Sequence, residues 1–130
     1  MIYLDTSALV KLVFEEDESA ALAEWVAERT EVPKISSDVS IIELLRTCRR
    51  IDEAAVGTAS LLFAGIDLLP VDRSVIDQAA IVTPNELPSL HAIHLASALS
   101  VKAHLTAFVA YDSRLCSAAL QAGLKVESPR

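Results

Sequence analysis

Aromatic side chains are nearly missing from this chain, with one Trp, two Tyr and three Phe among 130 residues. Because 52% of the residues are still hydrophobic, the core has to be aliphatic, built from Leu, Val, Ile and Ala. One domain spanning residues 1–130, with an ordinary core, is expected at this length. No apolar run approaches the ~18–20 residues of a membrane span, because charge breaks every candidate. The first residues carry no basic region, extended apolar segment or small-residue cleavage site. No signal peptide and no membrane association are therefore expected, and the cytoplasm is the expected location. Three glycines form no Gly-rich phosphate loop, and no Ser-His-Asp order or Cys-His pairing suggests nucleophilic catalysis. Cys48 and Cys116 match no zinc spacing and are expected as buried free thiols in a reducing compartment. Positive charge is short too. Eleven Lys and Arg face eighteen Asp and Glu, for a formal net charge of −7. That balance argues against coating nucleic acid through an overall field. It does not exclude a nuclease, because an acidic site recruits divalent cations that then bind phosphate.

What is present alternates. Residues 2–4 read as a buried strand, and Asp5-Thr6-Ser7 offers N-cap groups for a helix over 7–14. The acidic cluster Glu15-Glu16-Asp17-Glu18 is expected to cap the next helix, 19–29, because carboxylates favour helix N-termini. Residues 32–37 read as a turn and strand, 38–50 as a helix capped by Ser37 or Asp38, and 52–65 as another helix. A strand-like segment at 66–71 precedes a helix to residue 82, capped by Asp72 or Ser74. Two prolines in Thr83-Pro84-Asn85-Glu86-Leu87-Pro88 mark a loop. A helix over 89–101, a strand over 105–110, a helix over 113–122 ended by Gly123, and a strand over 124–127 complete the pattern. Strands alternating with helices predict an α/β domain, a short parallel sheet of four to five strands with helices on both faces. Ligands of such folds bind outside the carboxyl ends of the strands.

Two carboxylates fall at those ends: Asp5 after Met1-Ile2-Tyr3-Leu4, and Asp112 after Thr106-Ala107-Phe108-Val109-Ala110-Tyr111. Each is also a plausible helix cap. Glu43 interrupts the apolar stretch Ser40-Ile41-Ile42-Glu43-Leu44-Leu45, where a charge is costly unless paired or ligating something. A surface position for Glu43 stays open. Ser40, one turn earlier, is placed to orient that carboxylate or hold a metal-bound water. Three carboxylates at strand ends suit Mg²⁺ or Mn²⁺, which demand oxygen ligands and keep several waters. Lys11, Arg46, Arg49, Arg50 and Arg114 form a basic strip that is either a solvated surface or a guide for a nucleic-acid backbone. His91 and His94 stand three apart on a helix, which is a weak metal signal without His-Glu-x-x-His spacing. His94 is expected as a partly buried helix residue, and His104 as a loop or helix-end residue.

The order of these segments resembles the PIN-domain ribonucleases, and particularly the VapC-type toxins of VapBC toxin–antitoxin systems. Ile2-Tyr3-Leu4-Asp5-Thr6-Ser7-Ala8-Leu9-Val10-Lys11-Leu12 resembles the family's opening. Ser40-Ile41-Ile42-Glu43-Leu44 is similar to its second acidic motif. Ser89-Leu90-His91-Ala92-Ile93-His94-Leu95-Ala96 is similar to the third motif, usually Leu-Asp-Ala-(Ile/Leu)-His-Leu-Ala. Ala110-Tyr111-Asp112-Ser113-Arg114-Leu115 is similar to the Thr-Tyr-Asp segment near the family's C-terminus. The resemblance implies a PIN-like fold and a metal-dependent endoribonuclease toxin that inhibits translation by cutting RNA. It implies Asp5, Glu43 and Asp112 as metal-binding and catalytic residues with Mg²⁺ or Mn²⁺, and Thr6 and Ser40 in support. Lys11, Arg46 and Arg114 become candidates for RNA contacts. A VapB-type antitoxin and a homodimer are the implied partners.

The chain departs from the family at His91, which replaces the third-motif Asp, and at Ala110, which replaces a Thr or Ser. A neutral imidazole ligates Mn²⁺ or later metals better than Mg²⁺. It also removes a negative charge from the site, and a protonated His in a first helical turn faces the positive end of the dipole. Weak Mg²⁺ binding and reduced activity are the expected consequences. A second reading follows from the same residue: a catalytically weakened PIN-fold module that acts mainly by binding its antitoxin. A flavodoxin-like regulatory domain would explain Asp5 and the sheet but leaves the four ordered motifs unexplained.

Overall fold

A computed structural model describes residues Met1–Arg130. The chain alternates as expected. The strands are β1 (Ile2–Leu4), β2 (Lys34–Ser37), β3 (Asp67–Leu69), β4 (Ala107–Val109) and β5 (Val126–Glu127). The helices are α1 (Thr6–Val13), α2 (Ser19–Ala27), α3 (Val39–Ile51), α4 (Ala55–Ala64), α5 (Arg73–Ala79), α6 (Ser89–Ser100) and α7 (Ser113–Gln121). All five strands are parallel, in the order β3-β2-β1-β4-β5. The chain builds outward from β1 to β3 and then crosses to the other side of β1 to lay down β4 and β5. The switch point therefore lies between β1 and β4, where Leu4 pairs with Val109. Open α/β sheets bind ligands at the carboxyl ends of strands at such a point.

Period-two alternation divides the core. Ile2, Leu4, Ala107 and Val109 pack on one face of the sheet with Leu9, Leu22, Leu44 and Cys48. Tyr3, Phe108 and Ala110 pack on the other face with Leu95, Ala98, Leu115 and Ala119. Tyr3 and Phe108 stack with ring centroids 5.3 Å apart. Asp5 continues the ladder, its N–H donating to Val109 O at 3.0 Å. The helix ends follow local chemistry. Asp5, Asp72 and Asp112 accept from the backbone N–H groups of Ser7, Val75 and Leu115. The last turn of α7 closes with Leu124 N–H on Ala119 O and Gly123 N–H on Leu120 O. That closure needs the left-handed φ of +86° that Gly123 supplies.

Some expectations change. The cluster Glu15–Glu18 does not cap α2 through a carboxylate. Ser19 Oγ instead accepts from Glu16 N–H and donates to Phe14 O, and Glu16 and Glu18 turn to Lys11. Ser37 Oγ, not Asp38, accepts from Val39 N–H at the start of α3. Cys48 is buried as expected, but Cys116 is only half-buried. No helix is long and apolar enough to cross a membrane.

Leu9 is fully buried on α1, whereas Leu61 on α4 is 79% exposed. Leu9→Ala should destabilise the domain by about 2–5 kcal/mol. Leu61→Ala should stay within about 0.5 kcal/mol of the parent. Urea unfolding midpoints of the two variants check both values.

Candidate active site

The carboxyl ends of β1 and β4 lead to Asp5 and Asp112, α3 supplies Glu43, and α6 lies against all three through His91 and His94. Asp5 is 3% exposed. Its Oδ2 accepts from Ser7 N–H at 3.1 Å and Ser7 Oγ at 2.7 Å. Ser7 Oγ in turn accepts from Tyr111 N–H at 3.1 Å. This chain of bonds ties the segment that carries Asp112 to the end of β1. Asp112 both caps α7 and faces the site, so the capping and functional readings of that residue are compatible. Its Oδ1 accepts from Leu115 N–H and lies 3.7 Å from His91 Nδ1.

Glu43 projects from α3 toward α1 and α6. Its Oε1 accepts from Thr6 Oγ1 at 2.8 Å and lies 2.7 Å from His94 Nε2. Burial pushes this carboxyl up. The hydrogen bond and field of His94, the Thr6 hydroxyl and the field of His91 outweigh burial and hold it below the ordinary carboxylate range. Thr6 thus supports the site, and its Oγ1 also lies 3.1 Å from His94 Nε2. Ser40 does not orient Glu43: its buried hydroxyl donates to Ser37 O at 2.6 Å, where it stabilises the first turn of α3.

The reading of the sequence missed His94. It is fully buried rather than partly so. Both ring nitrogens have partners, with Tyr3 Oη on Nδ1 at 2.7 Å and Glu43 on Nε2. Asp5 Oδ1 lies 3.6 Å from Nε2. The available signal was its place three residues after His91 on the helix that covers the site. His104 lies in a short 3₁₀ turn, Lys102–His104, away from these groups.

The basic strip is thinned by ion pairs. Lys11 Nζ is held by Glu16 at 3.1 Å and Glu18 at 2.9 Å, over the Tyr111 ring, with its side chain only 12% exposed. It is not a free cation for RNA, because its charge is neutralised on two sides. Arg49 pairs with Glu53. Arg46 and Arg114 are exposed and take part in none of the chain's ion pairs.

The donor set fits a hard divalent cation. Asp5 Oδ1 makes no hydrogen bond within the chain, and neither Glu43 Oε2 nor Asp112 Oδ2 is engaged. His91 Nδ1 is a buried polar atom without a hydrogen-bond partner. No three of these side chains are gathered into a ready-made ligand cage. Such a set matches a cation that takes one or two carboxylates directly and keeps its waters.

A family model described as PIN domain matches residues 2–120, and the chain belongs to that family. Its relatives narrow the class to the VapC type. Ribonuclease VapC35 of Mycobacterium tuberculosis (strain ATCC 25618 / H37Rv) is 44% identical over 131 residues, covering 99% of this chain and 97% of the relative. Ribonuclease VapC47 of Mycobacterium tuberculosis (strain CDC 1551 / Oshkosh) is 39% identical with the same coverage. The crystal structure of Mycobacterium tuberculosis VapC20, described as a sarcin–ricin loop cleaving toxin, superposes with a TM-score of 0.76 at 18% identity. The match covers 99% of this chain and 100% of that one. VapBC2 from Rickettsia felis, solved with a fragment of promoter DNA, gives 0.73 at 12% identity with both chains fully covered. These two likenesses show the fold, a five-stranded parallel sheet flanked by seven helices.

Folding lowers the pKa of Glu43 and so favours its ionised form. The resulting stability is complete above the ordinary carboxylate value of about 4.3 and fades as the pH falls through the lower folded value. Glu43→Gln should therefore lower the unfolding midpoint at neutral pH, and the gap to the parent should close below about pH 4. Thermal unfolding of both proteins across that range checks this. A gap of constant size would contradict the assignment.

Proposed function

We propose that this chain is a metal-dependent endoribonuclease toxin of a type II toxin–antitoxin pair. In this reading it cuts RNA phosphodiesters in the cytoplasm, inhibits translation and is neutralised by a VapB-type antitoxin. The placement of Asp5 and Glu43 on either side of His94, with Asp112 beside His91 on the same helix, carries the reading. Two relatives named as VapC ribonucleases, matched along nearly the whole chain, support it. The homodimer implied by the resemblance belongs to the same proposal, as does a single PIN domain over 1–130.

Asp5, Glu43 and Asp112, with His91 beside them, would hold the divalent cation. Such a cation, when bound, polarises phosphoryl oxygens and lowers the pKa of water. The protein's own groups divide the remaining work. Asp5 is immobilised by Ser7 and is the most deeply buried anion, which suits it to a fixed anchoring role. Glu43 accepts two hydrogen bonds at one oxygen, which makes it a weak base. Asp112 is the better acceptor of the attacking water's proton, because its Oδ2 is unengaged and its side chain is 32% exposed. Arg46 and Arg114, exposed and outside every ion pair, are candidates to meet the RNA backbone.

His91 favours a second reading, a weakened enzyme that acts chiefly through its antitoxin. The observation behind it is that an imidazole rather than a carboxylate stands 3.7 Å from Asp112 Oδ1.

Asp5→Asn should reduce cleavage of RNA by about 100-fold or more, measured on purified protein with Mn²⁺ and with Mg²⁺. Activity equal to the parent's would remove the assignment. His91→Asp should raise the Mg²⁺-supported rate relative to the Mn²⁺-supported one. An unchanged ratio would show that position 91 does not govern the choice of metal.

A further inference from the structure

The buried imidazole of His94 is the group whose surroundings are most fully determined. Glu43 Oε1 already accepts the Thr6 hydroxyl, and an oxygen so engaged offers His94 only a lone pair. A bare lone pair on Nε2, 2.7 Å from Glu43 Oε1, would press one acceptor against another. Nε2 therefore carries a proton and donates it. Thr6 Oγ1 has one proton, and it goes to the same carboxylate oxygen. On the other edge of the ring, Tyr3 Oη lies 2.7 Å from Nδ1. Burial and the negative field of Asp5 push the Tyr3 phenol well above its ordinary range, so it keeps its proton and can donate to Nδ1. Both edges of the ring are thus held, and Nε2 is the edge that donates to Glu43.

We propose that His94 is a positioning residue. Its Nε2–H, fixed by the Tyr3 hydroxyl, anchors Glu43 and stands between Glu43 and Asp5, keeping the two carboxylates facing one site. This deepens the reading of the cluster as a cation site and rests on it. Asp5 and Glu43 repel each other in a largely dry region, and Glu43 still has a route to solvent, with 21% of its side chain exposed. A donor 2.7 Å from one carboxylate and 3.6 Å from the other opposes both tendencies. Outer-shell donors that orient metal-ligating carboxylates change affinity by about 10–100-fold.

A merely space-filling histidine predicts something different. Leucine would replace it at least as well as glutamine, because leucine buries no unpaired amide. A positioning histidine predicts the reverse, since the glutamine side-chain amide can still donate toward Glu43. The experiment combines ¹⁵N-detected histidine spectra of the full wild-type chain with Mn²⁺ calorimetry on His94→Gln and His94→Leu. The expected spectrum shows a proton on His94 Nε2, and that resonance should move in Glu43→Gln. His94→Gln should bind Mn²⁺ within about threefold of the parent, and His94→Leu about 10–100-fold more weakly. A hydrogen on Nδ1 alone, or equal Mn²⁺ affinity in the two variants, would overturn the proposal. The wild-type spectrum decides even where His94→Leu fails to fold. Neither measurement uses RNA, so an inactive but Mn²⁺-binding chain would sink the ribonuclease reading and leave this one standing. A wild-type chain that takes up no Mn²⁺ would sink the cation site, with the spectrum still judging how His94 holds Glu43.

Discussion

The parallel pairing of β1 with β4 is the constraint on which the site depends. It joins segments more than a hundred residues apart in the chain, Ile2 opposite Ala107 and Leu4 opposite Val109. Asp5 therefore leaves the sheet beside the segment that ends in Asp112. The pleat then does the sorting. Tyr3 points to the face covered by α6 and α7, so its hydroxyl meets the inner side of α6 at His94. Ile2 and Leu4 point the other way and seat α1 and α3, which carry Thr6 and Glu43. A one-residue slip in this pairing would send Tyr3 to the wrong layer and break every link between the carboxylates. Ser7 reinforces the register, because one hydroxyl bonds both to Asp5 and to the backbone beside Asp112.

Much of this was legible in the residues. Strands of three or four apolar residues, spaced by amphipathic helices, leave few alternatives to a parallel sheet with helices on both faces. Asp5 and Asp112 could be located at strand ends because each precedes a helix and follows an apolar run. Their two roles could not be separated in the sequence because they are not separate in space: the same carboxylate groups cap and face the site. His94 was hidden for a different reason. Its importance comes from partners 51, 88 and 91 residues away, and no local pattern reports them. Lys11 was misjudged because the turn after α1 folds Glu16 and Glu18 back onto it. Ser40 was misjudged because a serine in the first turn of a helix can satisfy itself on a nearby carbonyl. It never needs the carboxylate one turn ahead.

The charge distribution bears on how an acidic chain could handle an anionic polymer. At a net charge of −7, long-range attraction to RNA is not available. Most cations are already committed to neighbouring carboxylates, as with Arg29, Arg49, Arg73 and Arg130. Arg46 lies three residues after Glu43 on α3, and Arg114 two residues after Asp112 on α7. Two of the unpaired cations thus stand close in sequence to Glu43 and Asp112, with Arg50 further along α3. In the proposed nuclease such cations would meet a phosphate locally, because the overall field of the chain is repulsive. That field limits non-specific binding and makes productive contact depend on what occupies the carboxylates.

His91 and His94 then act on the acidic cluster from one helix in different ways. His94 is buried, has two firm partners and lies between Asp5 and Glu43. It reduces the repulsion that would otherwise spread those carboxylates apart without a cation. His91 is at the first turn of α6, partly exposed, and touches only Asp112, at a distance too long for a good hydrogen bond. An aspartate there would add a fourth anion to the group, raising its demand for a divalent cation. The imidazole lowers that demand and lets the carboxylates stay together unaided. The same exchange weakens the electrostatic pull on the cation and adds a nitrogen that Mg²⁺ does not favour. In the proposed cation site, ease of assembly without the cation and affinity for Mg²⁺ therefore oppose each other.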